Sequence, residues 1–233
     1  MIHLRPDSER GSTKWSWLES RHTFSFGEYY DPRFCGWGVL RFLNEDRIAL
    51  GMGFGMQPHR DLDILTVVLS GSLLHKDSLG NECVLQSGDM QLLSSGEGVL
   101  HSEMNASTEE TLHLLQIGIE ARHKGLPPNY QIGTFAAENC VGGWCLVASP
   151  NEEADAFVIQ QDAWIWRTLL APEGEIRFAL ASGHSAWLHV VSGSVLLENH
   201  LLKTGDGAGI KDEPEIVLEG CEPAEVMLIE LRA

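Results

Sequence analysis

The sequence predicts an all-β protein built from two β-sandwich or β-barrel domains, residues 1–125 and 126–233, and three observations lead there. Short runs rich in β-branched and aliphatic residues recur at regular spacing along most of the chain. A strand-turn-strand pattern occurs twice, as Val67-Val-Leu-Ser-Gly-Ser-Leu-Leu74 leading to Gly88-Asp89 and as His189-Val-Val-Ser-Gly-Ser-Val-Leu196 leading to Gly205-Asp206. Between the copies residues 121–150 change character: His123 to Tyr130 is a proline-interrupted loop, and a glycine-containing connector follows it.

In the first half, Trp15 to Tyr30 concentrates aromatic residues in extended, turning chain that Asp31-Pro32 breaks. Burial against the sheet is enough to explain Trp15 and Trp17, while His22 carries no assignment. Strands are expected at Trp37–Leu43 and Ile48–Phe54, with the polar group Asn44-Glu-Asp-Arg47 as the turn between them. Gly51, Gly53 and Gly55 let the backbone bend, and with no G-x-G-x-x-G leading into a helix they are not a phosphate loop. Asp63–Leu69 is the next strand, ended by Ser70-Gly-Ser72, and Leu73–Asp77 is its return. The Ser78–Asn81 turn, strands at Glu82–Gln86 and Met90–Leu93, the Ser94–Gly98 turn and a strand over Leu112–Ile119 complete the meander.

The second half repeats the plan with short strands at Ala156–Gln160, Trp164–Leu170, Ile176–Ala181, Trp187–Val191, Val195–Leu197, Ala208–Ile210, Ile216–Leu218 and Val226–Leu231. Aligning the two Ser-Gly-Ser turns puts Ala181 where His59 stands and Ile210 close to Leu93. His184, His189 and His200 form no in-phase pairs, so this half is expected to be structural.

Composition narrows the function. The 233 residues, 43% of them hydrophobic, suffice for two cores. With 33 acidic against 16 basic residues the formal charge is -17, and no basic stripe exists to meet phosphates, so direct nucleic-acid binding is not expected. The acidity serves solubility, and an acidic face is also compatible with a basic protein partner. The N-terminus lacks the apolar core of a signal peptide and no run has membrane-spanning length, which predicts a soluble, cytoplasmic protein. Five cysteines, Cys35, Cys83, Cys140, Cys145 and Cys221, show neither C-x-x-C nor zinc spacing and read as small hydrophobes, with Gly142-Gly143 a turn rather than part of a redox device.

The chemistry concentrates between residues 51 and 105. Side chains alternate faces along a strand, so Gln57 and His59 point the same way, as do His101 and Glu103. Two such pairs can surround one ion, and two imidazoles with one carboxylate leave open positions on a first-row transition metal. Gln57 offers only a neutral amide oxygen, a weaker donor. His75 and His113 are lone strand histidines and are placed outside the site. Asp63, in phase with His59 four residues on, either orients His59 or Arg60 or is a solvated strand-end acid.

On Arg21-His-Thr-Phe-Ser-Phe26, the glycine-rich approach to Pro58-His59, Leu69-Ser-Gly71, Ser87-Gly-Asp89, Gly96-Glu-Gly-Val-Leu-His-Ser-Glu-Met-Asn105 and Pro127-Pro-Asn-Tyr-Gln131, the sequence resembles the pirin family, in particular its bacterial pirin-like members. These are bicupins of the cupin superfamily. The resemblance implies two jelly-roll barrels, of which the N-terminal one holds a single iron or similar divalent first-row ion through His-x-His and His-x-Glu groups. His59, His101 and Glu103 match that pattern and Gln57 departs from it, standing as a weaker fourth ligand. The general cupin motif carries a ligand where Asp63 stands, but the pirin pattern assigns that role to Glu103. The resemblance implies quercetin 2,3-dioxygenase-type activity on a flavonol or related small aromatic molecule, with Glu103 as ligand and general base. A non-enzymatic, metal- or redox-dependent regulatory partner of another protein, and a metal-free small-molecule-binding cupin, are the alternative readings.

Overall fold

The structure, a computed structural model, describes residues 1–135, 137–153 and 155–232 and is built almost wholly from strands. The first are β1 (Ile2–Arg5), β2 (Gly11–Lys14), β3 (Leu18–His22), β4 (Leu40–Ile48), β5 (Gly53–His59) and β6 (Leu62–Ser70). β7 (Ser72–Asp77), β8 (Glu82–Gln86), β9 (Asp89–Ser94), β10 (Val99–Asn105), β11 (Leu112–Glu120) and β12 (Asn129–Thr134) follow. Then come β13 (Cys145–Ser149), β14 (Phe157–Val158), β15 (Ala163–Leu170), β16 (Glu175–Ala179) and β17 (His184–Ser192). The chain ends through β18 (Ser194–Leu197), β19 (His200–Lys203), β20 (Gly207–Lys211), β21 (Glu215–Gly220) and β22 (Ala224–Arg232).

Contacts divide the chain into two compact units, Gly11–Phe135 and Met1–Arg10 with Ala136–Ala233. Hydrogen bonding explains why these limits differ from the 125/126 boundary expected from composition. β12 pairs with β9, which keeps residues 129–134 in the first barrel, and β1 pairs with β20 of the second. Pro127 and Pro128 directly precede β12, where their missing N–H groups cost no ladder bond.

Each unit is a pair of sheets. In Gly11–Phe135 a seven-stranded sheet runs β12-β9-β6-β11-β4-β3-β2 and a four-stranded sheet runs β5-β10-β7-β8. In the other unit the orders are β1-β20-β17-β22-β15-β13-β14 and β16-β21-β18-β19. β6 is buried almost throughout, whereas β10 alternates buried and more accessible residues, which puts His101 and Glu103 on one buried face as their spacing predicts. Leu18, Ile48, Val68, Leu73, Leu85, Leu112 and Leu114 form one core cluster of the first barrel. Full burial of such a side chain stabilises by about 1.5–3 kcal/mol before the entropy of ordering is counted.

The repeated Ser-Gly-Ser turns are one structural device used twice. Gly71 and Gly193 have φ of 80° and 76°. A Cβ on Gly71 would come 2.8 Å from the Thr111 carbonyl oxygen, and one on Gly193 would run into that of Pro223. Only glycine fits both the backbone conformation and the close approach.

Several expected features change. Asn44-Glu-Asp-Arg47 is not a turn: β4 runs straight through it, because Asn44, Glu45 and Asp46 find partners on neighbouring strands and Arg47 pairs with Glu45 on β4 itself. Asn44 bonds His22, Ser20 donates to Asp46, and Glu45 accepts from His113 at 2.8 Å. The expected Ile48–Phe54 strand is accordingly divided between the end of β4, a turn, and the start of β5. Cys140 and Cys145 form a disulfide across the Gly142-Gly143 turn rather than packing as separate thiols; Gly142, at φ 64°, reverses the chain so that their Cα atoms lie 5.3 Å apart. Among the described residues no helix is long and apolar enough to cross a membrane.

Candidate metal centre

The site is assembled on β10, which lies between β5 and β7 in the four-stranded sheet. Gln57 is the cross-strand partner of His101, and His59 that of Val99, so His59 and His101 are diagonal neighbours on one face. Their ring centroids are 4.8 Å apart with an interplanar angle of 73°. Between His101 and Glu103 the β5 register slips from Gln57 to Phe54, a bulge that the Gly53 to Gly55 segment permits. Gly53 must be glycine, since a Cβ there would run into the Glu103 carbonyl.

On the other side of β10, His101 opposes Asp77 and Glu103 opposes His75. One donor atom each from His75, His101 and Glu103 can be chosen so that all lie within 4.8 Å of one another, and all three residues are buried. The structure thus places His75 beside His101 and Glu103, a proximity the sequence reading did not anticipate. His59 stands on the cavity side of His101, outside that tightest group. His113 does remain outside, bonded to Glu45.

Glu103 reaches across to the seven-stranded sheet. Its Oε1 accepts from Gln91 Nε2 at 2.7 Å and from Thr66 Oγ1 at 3.2 Å, and its Oε2 accepts from Gln116 Nε2. Burial pushes its pKa up to about 7; the nearby Asp46 charge adds to the rise, and the bonds from Thr66, Gln116 and Gln91 oppose it. Gln91 is held in turn, because Tyr130 donates to its Oε1 at 2.8 Å.

The same burial acts oppositely on the imidazoles. His101 is lowered to about 3 by burial first, then by the neighbouring His59 and His75, with Asp77 opposing. Burial also lowers His59. His75 is lowered by burial, against a hydrogen bond and the charge of Asp77. These rings are neutral near pH 7, each with a lone pair to offer. His75 donates from Nε2 to Asp77 Oδ2 at 3.1 Å, and Tyr130 stacks on its ring at 4.4 Å and 10°. Among the described residues the Nδ1 atoms of His75 and His101 have no hydrogen-bond partner although buried. Unpartnered buried imidazole nitrogens beside a buried carboxylate form a donor set suited to a divalent first-row ion.

Gln57, His59 and His101 also line a cavity of about 360 Å³. Trp15, Phe26, Phe42 and Phe54 supply aromatic walls, and Ser20, His22, Asn44, Asp46 and Gln116 a polar one. Trp15 is 57% exposed and belongs to the cavity rather than to the core, contrary to the burial expected of it. Trp17 does pack inward, edge-on to Phe54 at 5.3 Å. His22 donates from Nδ1 to Asn44 Oδ1 at 2.9 Å, has its Nε2 2.9 Å from the Thr13 hydroxyl, and stacks on Phe26. Asp63 is buried, so it is not a solvated strand-end acid.

Two things escaped the sequence. His75-x-Asp77 has the same in-phase spacing as the other pairs, a signal that was present, but only the register against β10 shows that its face is the site's. The polar wall had no linear signal, since its members come from β3, β4 and β11.

Comparison with known proteins follows the geometry. The family model described as Pirin matches residues 4–119, and one described as Quercetinase C-terminal cupin domain matches residues 146–231. A protein of Escherichia coli (strain K12) named quercetin 2,3-dioxygenase is 40% identical over 231 residues, covering 99% of each chain. A pirin-like protein of Caulobacter vibrioides is 36% identical over 231 residues, again 99% of each. The crystal structure of YhhW from Escherichia coli superposes with a TM-score of 0.96 at 40% identity, covering 99% of this chain and 97% of that one. A second structure of that bacterial pirin, in complex with nickel(II), gives 0.95 and covers 100% of this chain and 99% of that one.

Proposed function

The chain belongs to the pirin family, and from that premise we propose that its N-terminal barrel holds one transition-metal ion and opens the ring of a flavonol or related aromatic compound by dioxygenation. The observation that carries this reading is the cavity itself: the donors Gln57, His59 and His101 sit on one wall and aromatic rings on the others. Its volume of about 360 Å³ lies within the roughly 300–1,000 Å³ range of small-molecule sites.

His59, His101 and Glu103 would hold the ion, with the Gln57 amide oxygen as a weaker fourth donor. Iron is the ion we assign, and the nickel(II) complex of a 40% identical relative supports a site of this class that also accepts other divalent first-row ions. When bound, the ion supplies Lewis acidity that lowers the pKa of a substrate hydroxyl.

The residues of the chain do the rest. Trp15, Phe26 and Phe54 stack against the aromatic system and exclude water from the donors. Glu103 is the general base in this reading: in the metal-free chain burial raises its carboxyl, which favours proton uptake near neutrality over an ordinary glutamate. Three donors occupy its two oxygens, and a carboxylate has about four acceptor positions, so the one that remains would hold the ion and would take the proton only once the carboxylate turns off it.

Metal analysis of freshly purified protein, followed by quercetin turnover under oxygen before and after chelation, tests this. Stoichiometric metal with chelator-sensitive turnover is expected. Stoichiometric metal without turnover of any flavonol would remove the enzymatic reading and leave the metal site standing.

A further inference from the structure

We propose that Asn44 and Asp46, on the polar wall of the cavity, recognise a hydroxyl on the part of the substrate remote from the metal, which makes the substrate a polyhydroxylated aromatic; this rests on the reading above that a flavonol or related compound occupies the cavity. The first ground is placement. Ser20 and His22 on β3 stand opposite Asp46 and Asn44 on β4, and Gln116 on β11 stands opposite Asn44 on its other side. These strands belong to the seven-stranded sheet, whereas Gln57, His59 and His101 reach the same cavity from the four-stranded one. A molecule held at the donors of one sheet therefore turns its far end to the polar wall of the other.

The second ground is the hydrogen-bonding character of that wall. His22 spends its Nδ1 proton on Asn44 Oδ1 at 2.9 Å, so its Nε2 accepts from the Thr13 hydroxyl at 2.9 Å. With its oxygen engaged, Asn44 offers its amide nitrogen as the donor to the cavity it lines. Ser20 donates its proton to Asp46, which keeps that carboxylate an acceptor. A phenol hydroxyl is donor and acceptor at once and answers both groups: its proton goes to Asp46 and its lone pair accepts from Asn44. A carbonyl or ether satisfies only Asn44, and a carboxylate or sulfate end is repelled by Asp46.

The third ground is what packing alone fails to explain. Phe42, Asn44, Asp46 and Ile48 share one face of β4, apolar at both ends and polar in the middle. Asn44 and Asp46 are 2% and 3% exposed, and apolar residues there would spare the cost of burying an amide and a carboxylate. The surroundings suit a ring that carries hydroxyls. Phe26 stacks on His22 with centroids 5.4 Å apart and packs against Phe42 at 5.2 Å, which frames the polar pair with aromatic faces.

The test is anaerobic calorimetric binding of quercetin and of 3-hydroxyflavone to the full-length parent, Asp46→Asn and Asn44→Leu. The two probes share the hydroxyl and carbonyl pair that would meet the metal, and only quercetin carries further hydroxyls. The parent is expected to bind quercetin at least about tenfold tighter than 3-hydroxyflavone. Both variants should lose most of that ratio while their affinity for 3-hydroxyflavone stays within about twofold of the parent's, a selective loss that general damage to the cavity would not produce. Equal affinities in the parent, or a parental ratio in both variants, overturns this inference alone. A variant that weakens both probes equally also overturns it, since the residue then shapes the cavity without reading the hydroxyl. A parent that binds neither probe overturns the flavonol reading beneath it. If Asn44→Leu does not fold, the near-isosteric Asp46→Asn decides, and a parental ratio there overturns the inference.

Discussion

His101 and Glu103, two residues apart on β10 and both buried, are driven apart in acidity by the same loss of solvent: the imidazole falls to about 3 and the carboxyl rises to about 7. The two therefore act with opposite sign on the metal-free protein. Below its unfolded value of 6.5, His101 takes a proton in the unfolded chain but not in the folded one, so its stability contribution is lost as pH falls from there toward 3. Glu103 is protonated in the folded chain but not in the unfolded one between 4.5 and about 7, so its contribution is present below 4.5 and lost as pH rises through 7. His59 and His75, both lowered, add to the His101 effect. Glu103→Gln should therefore steepen the loss of stability on acidification by about 1.4 kcal/mol per pH unit between pH 4.5 and 7. Denaturant unfolding of chelator-treated protein at three or four pH values measures it, and parallel profiles for parent and variant would show that the carboxyl is not raised.

Metal uptake should follow the same carboxyl. The imidazoles are already neutral near pH 7, so the proton an incoming ion must displace is that of Glu103. Affinity for nickel(II) is expected to fall by up to about tenfold for each pH unit below 7, and Glu103→Gln should bind more weakly with a flatter profile. A parent profile that is flat from pH 5.5 to 7 would place the displaced proton elsewhere.

Much of this arrangement was legible in the sequence, and the misses share a cause. The Ser-Gly-Ser turns, β6, β7, β10 and the ligand pairs are local patterns, fixed by alternation and by glycine at positive φ. What linear reading could not reach were decisions made by a neighbouring strand. Asn44 to Arg47 resembles a turn until His22, Ser20 and His113 arrive to satisfy it within β4. His75 is a lone histidine until the β7–β10 register sets it opposite Glu103. Trp15 is one more aromatic until the cavity gives it a face to line.

Gln57 is the donor most open to improvement. It is the direct cross-strand partner of His101 and lies exposed on the cavity wall, so Gln57→His requires no repacking of the core. Exchanging a neutral amide for an imidazole should raise affinity for nickel(II) or iron(II) at least about tenfold, with unfolding free energy of the metal-free protein changed by less than about 0.5 kcal/mol. Chelator competition reads the first and denaturant unfolding the second. An unaltered affinity would mean that position 57 does not reach the ion.

Trp15 separates substrate binding from fold. At 57% exposure it contributes little to the core, but its ring lines the cavity 5.6 Å from that of Trp17. Trp15→Ala should leave stability within about 0.5 kcal/mol of the parent, as for surface positions generally. It removes an aromatic contact worth about 0.5–1.5 kcal/mol, so KM for a flavonol should rise about two- to tenfold while kcat stays near the parental value. Phe42, which lines the same cavity but is 7% exposed, supplies the contrast: Phe42→Ala should cost about 3–5 kcal/mol of stability. Steady-state kinetics with quercetin and denaturant unfolding on both variants distinguish the two roles. If Trp15→Ala instead lowers kcat at constant KM, the ring acts on the reacting geometry and not as a binding wall. If it destabilises as much as Phe42→Ala, the ring belongs to the core after all.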